Sequence, residues 1–211
     1  MRTTVLLTVI GLTMFGCEDP GAKVTSATVE APAQQPANPA AAAETGKSLA
    51  SLSVSPSNSK VEFVGAKVTA SHPGGFSDFA GTVDLGDPIE TSRIAITIQT
   101  ASLYADKEKL TKHLKSPDFF DVAKFPTATF RSAEITKSGD GYTVAGDLTL
   151  HGVTKRIGFP ASIQATDAEV IASAEFSINR QDYGINYPGM RDDLIRDLVV
   201  IKLSLKLPRK S

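Results

Sequence analysis

Three histidines, one cysteine and one inward-facing arginine are the residues of this 211-residue chain whose types and positions suggest chemistry. His72, His113 and His151 could together hold a zinc ion. Their separations of 41 and 38 residues match no local ligand spacing, and the sole cysteine, Cys17, is far from them in sequence. Each imidazole reads better as a group that satisfies backbone atoms at a turn or helix end. Serine, histidine and aspartate all occur, but no Gly-x-Ser-x-Gly elbow presents a nucleophile. The expectation is a chain that catalyses nothing and holds neither metal nor cofactor.

Arg180 is the most informative of these residues. In the alternation running from Val170 to Ile178 it falls on the inward face, while Asn179 falls outward. A cation at the inner end of a strand is expensive unless it is paired. Asp182, two residues on, is one candidate partner; the polar head of a bound molecule is the other. Asn179, Asp182 and Tyr183 flank the same position.

These residues must be positioned by strands. Val61 and Phe63 alternate with Lys60 and Glu62; Ile94, Ile96 and Ile98 alternate with Ala95 and Thr97; Val199, Ile201, Leu203, Leu205 and Leu207 alternate with polar neighbours. Such alternation marks strands with one wet and one dry face. Pro73-Gly74-Gly75, Gly139-Asp140-Gly141 and His151-Gly152 supply turns between them. Helix enters once: Asp106 is positioned to cap a turn reaching Leu114, and Ser116-Pro117-Asp118 reads as a second cap. Phe119 and Phe120 behind that cap suit a plug for one end of a barrel. The fold expected is all-β, an eight-stranded antiparallel up-and-down barrel with a short helical insertion. Small inward residues (Gly146, Ala161, Ala172, Ala174) leave room for one ligand.

The start of the chain has another character. Arg2 and the uncharged run Thr3–Phe15 suit a signal-peptide core too short to span a bilayer. Gly16 precedes Cys17, the arrangement that ends a lipoprotein signal, with the cysteine becoming the acylated (palmitate-bearing) first residue. Domains are therefore expected at 1–16 (signal), 17–50 (flexible Ala/Pro/Ser-rich linker) and 51–211 (barrel). As a coil of roughly 32 residues the linker would span roughly 30 Å, enough for the barrel to float beside a membrane. With 22 basic and 23 acidic residues, the net charge of −1 gives no footprint for nucleic acid.

The stretch His113-Leu-Lys-Ser-Pro-Asp-Phe-Phe-Asp-Val-Ala-Lys-Phe-Pro-Thr-Ala-Thr-Phe-Arg131 closely resembles the signature of the YceI-like family. Phe76–Thr82, Gly146–Lys155 and Ile178–Gly184 agree with it in order and spacing, so the resemblance covers nearly all of 57–207. It implies a lipocalin-like barrel, exported to the periplasm, non-enzymatic and often dimeric, holding an isoprenoid quinone or related long-chain amphiphile. The ligand-binding residues expected are Phe63, Phe119, Phe130 and Phe176 for the tail, with Arg180, Asn179, Asp182 and Tyr183 at the polar end. A stress or interaction protein with a filled barrel core is the alternative. Either form would be anchored through Cys17 to a bacterial membrane, in a leaflet the sequence does not specify.

Replacing the anchor residue is the direct check on this organisation. Cys17→Ser should leave the fold intact and release the protein from the membrane fraction. Metabolic labelling with a fatty acid reads it: label kept by the variant, or absent from the parent, refutes the anchor.

Overall fold

The computed structural model describes residues 19–30 and 47–209; the expected signal segment and Cys17 lie outside them. Strands dominate: β1 (Thr28–Glu30), β2 (Lys47–Val54), β3 (Ser59–Ala66), β4 (Ser71–Phe76), β5 (Phe79–Asp87), β6 (Arg93–Gln99), β7 (Leu103–Ala105), β8 (Thr127–Ser138), β9 (Gly141–Leu150), β10 (Val153–Ala165), β11 (Glu169–Asn179), β12 (Gly189–Met190), β13 (Asp193–Leu194) and β14 (Leu198–Pro208). One helix, α1 (Glu108–Leu114), lies between β7 and β8.

The main sheet is antiparallel and curled, in the order β2-β5-β6-β8-β9-β10-β11-β14-β3-β4-β7. The all-β barrel expectation holds, but the strand count differs from eight. Two long ribbons are broken: β4 runs into β5 across Ser77 and Asp78, and β6 into β7 across a turn at Thr100–Ser102. Since β4 pairs with β7 while β5 pairs with β6, each ribbon bends and changes its position along the wall. Counted once each, they give eight ribbons around the wall, with β2 added on β5. The wall returns on itself because β3 pairs with both β14 and β4.

Alternation decides what each face does. Inward residues of one half, among them Leu52, Val54, Val83, Leu85, Val170 and Leu207, are buried in a packed core. Outward, opposite charges face each other across strands: Glu175 with Lys202 at 3.1 Å and Asp147 with Arg156 at 2.9 Å. His151 and Gly152, at φ 51° and 75°, make the tight β9–β10 hairpin, a turn that needs two positive φ values.

The helical insertion is shorter than the sequence suggests. Lys107, not Asp106, precedes α1, and no side chain caps it. Asp106 is engaged instead by His72 Nδ1 at 3.0 Å. The second cap does not start a helix: Ser116 Oγ donates back to the His113 carbonyl at 2.8 Å, and Pro117–Phe120 form turns. The chain then reverses through Asp121 at φ 42°.

The larger correction concerns the ends of the linker expected over 17–50, whose residues 31–46 lie outside the described ones. Residues 19–30 lie on the barrel wall. Asp19 caps a 3-10 turn at Pro20–Lys23, accepting from the Gly21 N–H at 2.9 Å. Ser177 exchanges backbone hydrogen bonds with Thr25 and Ala27 at 3.1 and 2.8 Å, and β1 pairs with Arg156–Gly158 of β10. The reason lies in the wall: β10 and β11 pair only over Ser162–Ala165 and Val170–Ser173, so their remaining lengths diverge. Residues 25–30 fill that split as a strap. Ser177 faces outward yet is fully buried, because the strap covers it and Ser26 Oγ meets its hydroxyl at 3.0 Å. At the other end of the expected linker, Lys47–Ala50 already belong to β2.

Ala27 reports on the strap, since its methyl is buried in the main core cluster. Ala27→Glu should lower stability by about 1–3 kcal/mol, the cost of burying an unpaired charge or losing the strap. A denaturant midpoint equal to that of the parent would return residues 19–30 to the status of a linker.

Candidate functional site

The half of the barrel nearest α1 is hollow. A cavity of about 770 Å³ opens at the end where the β3–β4 turn, the β7–β8 insertion and the β11–β14 connection meet. Its walls are the inward side chains of the long strands, including Ile98, Leu148, Leu150, Ile157, Ile178 and Ile201. Four expected tail contacts, Phe63, Phe119, Phe130 and Phe176, line it together.

Aromatic rings close the inner end of this space and narrow its mouth. At the inner end Phe159 stacks on Phe176 with centroids 4.1 Å apart, and Phe130 leans on Phe159 at 5.6 Å. A Cβ on Gly146 would come within 2.6 Å of the Phe130 ring, so that glycine makes room for it. Beyond Ile96, Phe130, Phe159 and Leu203, which line both spaces, lies a pocket of only about 70 Å³. Ala161, Ala172 and Ala174 face that small pocket, so the small residues expected to open the interior do so below the partition. At the outer end Leu110 and Leu114 of α1 face the cavity with Phe119 and Phe120, and Phe120 meets Phe76 edge-on at 5.9 Å. The insertion is the plug the sequence suggested.

The expected polar end is arranged differently from either reading of Arg180. Its side chain does point inward and is buried, at 5% exposure. Nε donates to the Arg196 carbonyl at 3.1 Å, Nη1 to Ile185 at 2.6 Å, and Nη2 to Ile195 at 3.3 Å and to Asp197 at 3.0 Å. The carboxylate partner is therefore Asp197 and not Asp182, and four of five guanidinium donors are occupied. Burial pulls the Arg180 pKa down from its ordinary value, with Asp197 opposing. Arg180 thus ties the β11–β14 connection to the strand end; it borders the cavity without a donor to spare for several ligand atoms.

Asn179, Asp182 and Tyr183 are outside the cavity lining. Asn179 caps the 3-10 turn Arg180–Tyr183 by accepting from the Gln181 N–H at 2.9 Å. Tyr183 is fully buried in the core, and its hydroxyl has no partner among the described residues. Burial raises its pKa, with Asp182 adding to the effect. Besides Arg180, the charged and imidazole groups that border the cavity are Glu62, Lys67, Asp193, Arg196, His72, His113, Lys107 and Lys109, of which His72, Lys107 and Lys109 come from the β4 and insertion side of the mouth. Sequence reasoning missed these lysines and also Ile185, Tyr187 and Ile195, because the segments that carry them show no period.

The histidines each have a protein partner: His72 with Asp106, His113 Nε2 with Asp118 at 2.9 Å, and His151 Nδ1 with the Tyr183 carbonyl at 3.1 Å. Two of the three partners are side-chain carboxylates, not the backbone groups expected.

A model of the YceI-like domain matches residues 52–207. The chain belongs to the YceI-like family. Among curated relatives, a UPF0312 protein of Pseudomonas fluorescens is 39% identical over 125 residues, which is 55% of this chain and 65% of that protein. A UPF0312 protein of Yersinia pestis is 44% identical over 85 residues, 40% of this chain and 44% of the relative. The chain thus matches less than two thirds of their length. Among solved structures, BcnA of Burkholderia cenocepacia superposes with a TM-score of 0.65 at 24% identity, over 72% of this chain and 98% of that one. A polyisoprenoid binding domain from Saccharophagus degradans gives 0.61 at 16% identity, over 77% and 99%. Both similarities establish the fold.

In this YceI-like barrel the motif from His113 to Arg131 is the plug and the strand behind it. Its Phe119, Phe120, Ala128 and Phe130 all reach the cavity. The Ile178–Gly184 motif is the strand end and turn that Arg180 fastens. Arg180→Met keeps the stem and removes the fork, leaving three carbonyls and Asp197 without its donors. Stability should fall by about 3 kcal/mol. Affinities for headed and headless hydrocarbon ligands should fall alike, measured on the same variant. A selective loss for the headed ligand alone, with stability unchanged, would restore Arg180 as a head-group contact.

Proposed function

We propose that the barrel binds an isoprenoid quinone or a comparable long-chain amphiphilic lipid and serves as its carrier, store or buffer, without catalysing a reaction. The observation that carries this reading is the cavity: about 770 Å³, apolar along its length, closed at one end and open at the other. A filled barrel core, the alternative, would leave no such space. The polyisoprenoid binding domain of S. degradans, which shares the fold, supports the same class of ligand.

Size and energy agree with it. At the density of protein interiors a five-carbon unit occupies roughly 115 Å³, so about six to seven units fill the cavity. Each buried methylene contributes about 0.8 kcal/mol, so such a tail more than suffices for micromolar binding. His72, Lys107 and Lys109 at the mouth supply donors to a carbonyl or phosphate head, while the four phenylalanines hold the tail. The protein would work in the periplasm, anchored through Cys17.

Organic extraction of protein purified from its native membrane, followed by mass spectrometry, should release an isoprenoid-type lipid in near-stoichiometric amount. Ala128 borders the cavity, and Ala128→Phe should fill part of it, shifting the extracted lipids to shorter tails while the fold is kept. An empty extract from the parent, or an unchanged tail distribution in the variant, would sink the proposal.

A further inference from the structure

Seven large apolar side chains stand out to solvent among the described residues, and three of them cluster at the cavity mouth. Val68 is 43% exposed, Met190 70% and Leu194 50%. The Val68 N–H donates to the Leu194 carbonyl at 3.0 Å, and Met190 pairs with Asp193 in the β12–β13 hairpin, whose Asp193 is bound by Lys67. The hairpin is therefore fastened to the β3–β4 turn, and its apolar tips are held outward by backbone bonding. Water gains nothing from such an arrangement, whereas an apolar interface would.

The strap begins at the same end. A Cβ on Gly21 would come within 2.5 Å of Leu198 Cβ, and Leu198 follows Leu194 by only four residues. Asp19, which caps that turn, is two residues after Cys17, a reach of at most about 7 Å. An acyl chain on Cys17 would emerge beside the mouth, with no slack for the barrel to stand away.

We propose that the mouth end of the barrel docks on a phospholipid bilayer, with Val68, Met190 and Leu194 entering the interfacial layer. This rests on the anchor and cargo readings above and adds an orientation to them. The open end of the cavity then faces the lipid, so a long tail passes between bilayer and barrel without crossing water. Charges at the mouth are mixed, with Arg191 beside Asp192, Lys67 on Asp193, and Lys107 and Lys109 alternating with Asp106 and Glu108, so contact is through apolar tips and requires no anionic lipid.

The chain has no tryptophan, so one placed on the surface is a unique reporter. Leu194→Trp marks the mouth, outside the cavity lining. Ile171→Trp marks the far end of β11, at an exposed position eight residues or roughly 25 Å from Asn179. Each variant of the full lipoprotein, purified from cell membranes, is reconstituted in phosphatidylcholine vesicles carrying acyl-chain bromines. Quenching several-fold stronger at position 194 than at 171, unchanged by added salt, is the expected result. Equal quenching at both positions, or protein left in the supernatant, overturns the docking. Selective quenching with no isoprenoid in the extract supports the docked face and rejects the cargo reading alone.

Discussion

Every peptide N–H and C=O in a barrel wall must find a partner, and this requirement governs the molecule. The wall is narrow and packed at one end and wide enough at the other to enclose about 770 Å³. Widening it forces β10 and β11 apart beyond Ser162 and Ser173. Residues 25–30 supply the missing hydrogen bonds on both sides of the split. The cavity and the strap are thus two results of one divergence.

The same accounting explains Arg180. The β11–β14 connection crosses the mouth with little regular structure, so its carbonyls at Ile185, Ile195 and Arg196 lack strand partners. A rigid planar fork satisfies three of them at once and takes Asp197 as its counter-charge. A lysine could not span the same set. The mouth of the cavity is held in place by a residue whose own polar atoms are largely used up by the backbone.

Strands were legible because their inward residues repeat every second position, and the register that places Ile98, Phe130, Leu148 and Ile201 in the cavity follows from that period. Arg180 was legible as inward for the same reason. Its partner was not, since Asp197 is seventeen residues away across an irregular loop while Asp182 is only two residues on. The strap left no hydrophobic pattern because it is held by main-chain bonds and a single buried methyl, at Ala27. The cap at Ser116 misled because a good local signal for helix was overruled by the need to turn Phe119 into the barrel.

The strap also has a mechanical meaning. With the proposed anchor at Cys17, a pull on the chain ahead of Asp19 would reach first the turn at Pro20–Lys23, then the bonds at Ser177, and last the ladder on β10. These contacts come in series along one short segment. Tension would unzip them from the anchored end, and what it would open is the seam beside the cavity, leaving the packed end of the barrel under no load.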